Sequence, residues 1–118
     1  MYRLGLLLLI SVSACAQITS KPITEVSRTE LKSVVLVDVR TPEEYASGHL
    51  DNAMNVNWND TDFADQFAAI SKDKTIYVYC KKGGRSAKAR KKLISLGFED
   101  VVDLQGGYDA YKAKRVME

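Results

Sequence analysis

The residues best suited to chemistry stand together in the stretch Thr75-Ile-Tyr-Val-Tyr-Cys80-Lys-Lys-Gly-Gly-Arg85-Ser86. Its first half, β-branched and aromatic, reads as a buried strand. That strand ends on Cys80. Gly83 and Gly84 follow among Lys81, Lys82 and Arg85, and Ser86 to Leu96 reads as a helix. A thiol at this handover meets the converging N–H groups of a tight glycine loop, a helix N-terminus and three side-chain cations. Each favours thiolate over thiol, so Cys80 is expected to have a depressed pKa and to be nucleophilic near neutral pH. The same cradle, Lys81 to Ser86, suits an oxyanion or a negatively charged sulfur adduct. An inert strand-end cysteine is the alternative, but it would need neither the glycines nor the cations.

Several function classes fall away on composition. The 118 residues suit one compact domain, and a formal net charge of +2 is too small to argue for nucleic acid or a membrane surface. The single histidine, His49, cannot build a metal site, and no carboxylate cluster at ligand spacing accompanies it. It reads more simply as a turn histidine bonded to backbone than as an acid–base catalyst. Neither a metal nor an organic cofactor is expected.

The start of the chain reads as an export signal. Arg3 supplies a positive n-region, Leu4 to Val12 an apolar h-region too short for a stable anchor, and small residues follow. Val12-Ser-Ala-Cys15 resembles the lipobox of bacterial lipoproteins, which would make 1–14 the signal peptide and Cys15 the lipidated first residue. Cleavage after Ala16, within Ala14-Cys-Ala16, is the competing reading and gives a soluble product. Residues 15–22 are then a tether and 23–118 the folded domain. Lipidation would place the protein in a bacterial cell envelope, with Ala16 resembling the pattern for the outer membrane facing the periplasm. Soluble periplasmic export is the alternative. On either reading Cys80 has no disulfide partner among the two cysteines, and stays free in an oxidising compartment.

The remaining elements must position the thiol. Ile23 to Val26 reads as a short edge strand, and Ser27 with Glu30 as the cap of a short helix. Val34 to Val39 is a continuous run typical of a central strand covered on both faces. Asp38 and Arg40 lie at its C-terminal edge, where open α/β sheets place their sites. They are expected to brace the site loop more than to take part in chemistry. Thr41, Pro42 and Glu44 open a helix that Gly48 closes. Ala53 to Asn57 reads as a strand, and Thr61 or Asp62 to Ile70 as a helix with Phe63, Phe67 and Ile70 on one face. Val101 to Leu104 is the last strand and Tyr108 to Met117 the closing helix. This alternation predicts an α/β fold with a largely parallel sheet.

In this order the motifs resemble a single-domain rhodanese. Val37-Asp38-Val39-Arg40, Glu44-Tyr45 with Gly48-His49-Leu50, Ala53 to Val56, the loop Cys80 to Ser86, and Leu104-Gln-Gly-Gly107 with Tyr108 and Tyr111 carry the resemblance. Asp51-Asn52 stands where the family often has Pro-Gly, and Tyr111 where it often has tryptophan. The resemblance implies a rhodanese-like five-stranded parallel sheet with helices on both sides. It also implies a thiosulfate sulfurtransferase in which Cys80 takes sulfane sulfur from a small-molecule donor such as thiosulfate. A Cys80 persulfide then passes it to cyanide, a thiol or a protein acceptor. Lys81, Lys82 and Arg85 would offset the donor's charge, and the N–H groups of Gly83 to Ser86 would hold the persulfide. Two other readings share the cradle. A non-catalytic carrier or binding module would relay sulfur to a partner. A cysteine phosphatase would need a loop resembling Cys-x5-Arg, but only four residues separate Cys80 from Arg85. The tighter ring suits one sulfur atom better than a tetrahedral phosphate.

Overall fold

The computed structural model describes residues 18–117. The expected export signal of residues 1–14, the expected lipidation of Cys15 and the alternative cleavage after Ala16 lie outside them. Five strands form one sheet: β1 (Ser20–Pro22), β2 (Val35–Asp38), β3 (Met54–Asn55), β4 (Thr75–Tyr79) and β5 (Asp100–Gln105). Their order across the sheet is β1-β5-β4-β2-β3. Every pairing is parallel. The helices are α1 (Arg28–Lys32), α2 (Pro42–Ala46), α3 (Gly84–Ser95) and α4 (Gly107–Met117).

The period-2 alternation of strand side chains divides the core in two. Val37, Ile76, Val78, Cys80 and Val101 face α3 through Ala89 and Leu93, together with Phe63 and Phe67. Leu36, Tyr77, Tyr79, Val102 and Leu104 face the opposite way, toward Leu31 of α1, Tyr45 of α2 and Tyr108 and Tyr111 of α4. From β2 the chain moves outward to β3; from β4, on the other side of β2, it moves outward to β5. Connections that diverge from adjacent strands open a crevice at the carboxyl ends of those strands. β2 and β4 are that pair, and Cys80 follows β4 directly.

Three expectations are corrected. The edge strand is Ser20–Pro22 rather than 23–26, so the last residues assigned to the tether belong to the sheet. Pro22 offers no N–H to extend the ladder, and Ile23–Glu25 turns as a 3-10 helix that buries Ile23. Residues 61–70 are not an α-helix. Successive bonds such as Phe63 N to Asp60 O and Ile70 N to Phe67 O span three residues, and only Asp65–Phe67 is helical, of the 3-10 kind. The turn begins where Asn57 Oδ1 takes the N–H of Asn59 at 3.0 Å, the local competition that keeps asparagine out of helices. Phe63 and Phe67 are nevertheless buried as the spacing implied. Finally, α3 starts two residues earlier than expected, at Gly84 rather than Ser86.

The Asp51-Asn52 departure also finds its explanation. Ala53 N bonds Leu50 O at 3.1 Å, closing a four-residue turn whose third residue, Asn52, has φ 68°. Asparagine is the residue besides glycine that tolerates this conformation readily.

Candidate active site

The site grows from the end of β4. Tyr79 is the last residue paired in the sheet, and the next side chain, Cys80, turns toward α3 with 1% of its surface exposed. The chain then wraps around the sulfur. Gly83 N–H donates to Cys80 Sγ at 3.0 Å, and Ser86 Oγ lies 3.4 Å from the same atom. Gly83 caps α3 at φ 141°, a conformation that a side chain would strain. The sulfur therefore sits at the N-terminus of a helix of 12 residues. The first-turn N–H groups there, Gly84 to Ser86, have no acceptor within the helix. Partial positive charge thus converges on the sulfur from the backbone itself.

A second helix fixes the outside of the loop. Tyr108 N–H donates to Cys80 O at 2.8 Å and Asp109 N–H to Lys81 O at 3.1 Å. The first turn of α4 thus holds two loop carbonyls away from the sulfur. This contact requires Gly107: at φ 62°, a Cβ there would stand 2.5 Å from both carbonyl oxygens. Sequence reading placed a turn at Gly107 but did not connect it to the cysteine, because the two are neighbours only through the β4–β5 pairing.

Asp38 and Arg40 form a buried pair, 0% and 3% exposed. Arg40 Nε and Nη2 both reach the Asp38 carboxylate, with Nη2 at 2.7 Å from Oδ2. Nη2 also donates to Gly48 O at 2.6 Å. The guanidinium stacks 4.3 Å from the centre of the Tyr108 ring. Asn55 Nδ2 donates to the carbonyls of both Asp38 and Arg40. β2, β3, the turn after α2 and the start of α4 are thereby joined at the edge of the sheet beside the loop. Tyr79 belongs to this group, its hydroxyl accepting Leu50 N–H at 3.0 Å. Burial and the adjacent Asp38 push that hydroxyl well above the ordinary tyrosine pKa.

The three cations of the loop are placed differently from one another. Arg85 gives two N–H groups to Glu44, at 2.6 and 3.0 Å. Its charge still acts on Cys80 and is held on by Glu44. Lys81 reaches Asp109 at 3.3 Å, both side chains being largely exposed. Lys82 is exposed and makes no ion pair among the described residues. Glu44 is the site residue that sequence reading left out. It was seen as a helix-opening acid, and it does close a capping box with Thr41. Its carboxyl also faces α3, and the Arg85 fork, aided by Thr41 and opposed by burial, holds its pKa down to about 2. His49 is exposed, bonds Tyr45 O through Nδ1 at 2.8 Å and stacks on the Tyr45 ring.

The arrangement can hold a thiolate, or an anion attached to that sulfur, on backbone dipoles. The profile described as Rhodanese-like domain matches residues 26–114. Thiosulfate sulfurtransferase GlpE of Shewanella oneidensis is 36% identical over 86 residues, covering 73% of this chain and 83% of its own. Adenylyltransferase and sulfurtransferase UBA4 of Candida albicans is 38% identical over 113 residues, 82% of this chain, yet the match spans only 26% of that longer protein. Among solved structures, a rhodanese-related protein from Thermoplasma volcanium superposes with a TM-score of 0.71 at 27% identity, covering 81% of this chain and 92% of its own.

Two outcomes test the supporting contacts. Arg40→Ala should cost about 3 to 5 kcal/mol in urea unfolding, because it leaves Asp38 charged and alone in the interior. Pairing Asp38→Leu with Arg40→Met should recover much of that loss. An unfolding midpoint for Arg40→Ala equal to that of the parent would contradict the bracing role. Because Glu44 has a lowered pKa in the folded state, its contribution is present above its ordinary value of 4.5 and lost as pH falls toward about 2. Glu44→Gln should cost about 1 kcal/mol at neutral pH, screened by partial exposure, and progressively less as pH falls through about 2. Parallel stability–pH curves for the two proteins would rule this out.

Proposed function

Because the chain belongs to the rhodanese family, we propose that it is a thiosulfate sulfurtransferase that carries sulfane sulfur on Cys80. The observation that carries this reading is the 3.0 Å bond from Gly83 N–H to Cys80 Sγ at the N-terminus of α3. A cradle built on one sulfur atom serves a thiolate before transfer and a persulfide anion after it. In the first step the Cys80 thiolate attacks the outer sulfur of thiosulfate. A carbon-bound S–S bond forms, the S–S bond of thiosulfate breaks, and sulfite leaves with its electron pair. In the second, cyanide or a thiolate attacks the terminal sulfur, and the Cys80 thiolate leaves. Lys82 and Lys81 attract the incoming anion. Arg85, anchored by Glu44, contributes a fixed charge near the sulfur. Asp38 and Arg40 brace the loop and take no part in bond making.

Relatives named thiosulfate sulfurtransferase, such as GlpE, support the choice of donor. The match to a stretch that is 26% of the longer adenylyltransferase and sulfurtransferase UBA4 supports sulfur transfer as the chemistry, with a protein as a second proposed class of acceptor. A carrier that only relays sulfur would load as readily but turn over slowly without that partner. The four residues between Cys80 and Arg85 keep phosphate-ester hydrolysis as the outlying alternative. The apolar run Leu4 to Val12 and the Cys15 lipobox support export to a bacterial envelope with a lipid anchor on Cys15.

Intact-mass measurement after thiosulfate addition should show a gain of one sulfur atom, absent in Cys80→Ser. Protein recovered from membranes should carry the further mass of acyl chains on Cys15. Absence of a Cys80-dependent sulfur adduct would refute the persulfide. Phosphate release that is lost in Cys80→Ser, without thiosulfate turnover, would transfer the assignment to the phosphatase reading.

A further inference from the structure

The charges of α3 are arranged against the helix that carries them. Residues 81–92 hold seven of the 17 cations of the chain and none of its 15 acids. The remainder of the chain is therefore net acidic, although the whole carries +2. A helix dipole favours acids in the first turn, and α1, α2 and α4 each place at least one there. α3 has none. Close to the sulfur this has a reason, since a carboxylate beside Cys80 would oppose a thiolate. Farther along the helix that reason fades, yet the cations continue. Lys91 and Lys92 follow Lys88 by three and four residues, the spacings at which like charges on a helix repel.

Two of the seven cations are used inside the domain. Arg85 is forked onto Glu44, and Arg90 Nε donates to Val101 O at 2.8 Å. Lys81 reaches Asp109. Lys82, Lys88, Lys91 and Lys92 are exposed and make no ion pair among the described residues. Gly84, Lys88, Lys91 and Lys92 recur at the spacing of one helix face. The opposite face buries Ser86, Ala89 and Leu93. The lysine face begins at the loop around Cys80 and runs about 12 Å along α3, at about 1.5 Å per residue.

That length separates it from small anions. Thiosulfate or cyanide at the sulfur meets the loop and is too short to touch Lys82 and Lys92 together, so a ligand that uses the whole face is a macromolecule. Nucleic acid and anionic membranes are extended polyanions, and they would meet the net acidic remainder of the chain as well. A protein with a local acidic patch matches the lysine face alone.

We propose that the lysine face of α3 docks a protein that presents an acidic patch beside its own thiol and brings that thiol to Cys80 as the sulfur acceptor. This rests on the reading of Cys80 as the sulfur carrier. The acceptor thiolate attacks the terminal sulfur of the Cys80 persulfide. A new S–S bond forms on the acceptor, the S–S bond to Cys80 breaks, and Cys80 leaves as a thiolate. Lys88, Lys91 and Lys92 hold the partner in register and stay clear of the reacting atoms.

The probes are two peptides with one cysteine each, flanked by glutamates in one and by glutamines in the other. With thiosulfate-loaded protein at low ionic strength, kcat/KM for the acidic peptide should be about tenfold that for its neutral twin, as charge complementarity at a docking face provides. The ratio should fall as salt rises. Combining Lys88→Gln, Lys91→Gln and Lys92→Gln should bring the ratio within about twofold of unity while transfer to cyanide changes less than about twofold. A parent that does not distinguish the peptides, or a ratio unchanged in the triple variant, would overturn the proposal. So would tighter binding of a short DNA duplex, or of phosphatidylglycerol vesicles, than of the acidic peptide at physiological ionic strength. Docking is also read without sulfur. The acidic peptide with serine for cysteine should shift the amide resonances of residues 82–92 in the unloaded full chain, and not in the triple variant. Those shifts in a protein that takes up no sulfur would refute the carrier reading and leave the docking face in place. Their absence in a protein that loads sulfur and passes it to cyanide would overturn the docking face alone.

Discussion

The site depends first on a buried ion pair. Asp38 and Arg40 are two residues apart on one strand end, yet Arg40 reaches the carbonyl of Gly48 and lies under the Tyr108 ring. Charges taken out of water must be fully paired or they destabilise, so this pair tolerates little displacement of the segments that complete it. Those segments are the turn after α2, the short strand β3 and the first residue pair of α4. Tyr108 in turn holds the carbonyl of Cys80. The geometry around the sulfur is set from a pair of charges that never touches it.

Within that frame, backbone and side chains divide the electrostatic work. Sequence chemistry pointed to the three cations of the loop. In the folded protein one of them is forked onto Glu44 and another reaches Asp109. What lies closest to the sulfur is a backbone N–H and a serine hydroxyl. Amide dipoles held by two helices lose no conformational freedom when an anion arrives, whereas lysine side chains do. On the proposed reading the cations act at longer range, drawing anions in, and the fixed dipoles hold them.

Much of this was legible in the sequence because it is local. The cysteine at a strand end, the paired glycines, the Thr41–Glu44 cap and the β-branched run before Asp38 each declare themselves within a few residues. The five-stranded parallel sheet followed from the motif order that resembles rhodaneses. What escaped was of two kinds. Contacts between distant segments, Glu44 with Arg85 and Gly107 with the carbonyl of Cys80, leave no periodic trace. Asp103, buried within β5, was read only as one letter in a strand, since nothing local marks an acid that turns inward. The segment 61–70 failed for another reason. Apolar residues four and three apart, Phe63, Phe67 and Ile70, satisfy a helix and a run of tight turns alike, and the Asn57 side chain starts the chain in a turn.

The hold of α4 on the loop has a consequence for how the protein comes into being. The sulfur's own ring, Cys80 to Ser86, is closed by a few residues, but the clamp on its outer side arrives with residues 107–109. A chain growing from its N-terminus has the cysteine long before it has the helix that shapes the cradle. Until α4 docks, the carbonyls of Cys80 and Lys81 lack the N–H partners that hold them on the outer side of the loop. The outer half of the cradle is in this sense a late acquisition, present only once residues 107–109 have been made and have met the loop.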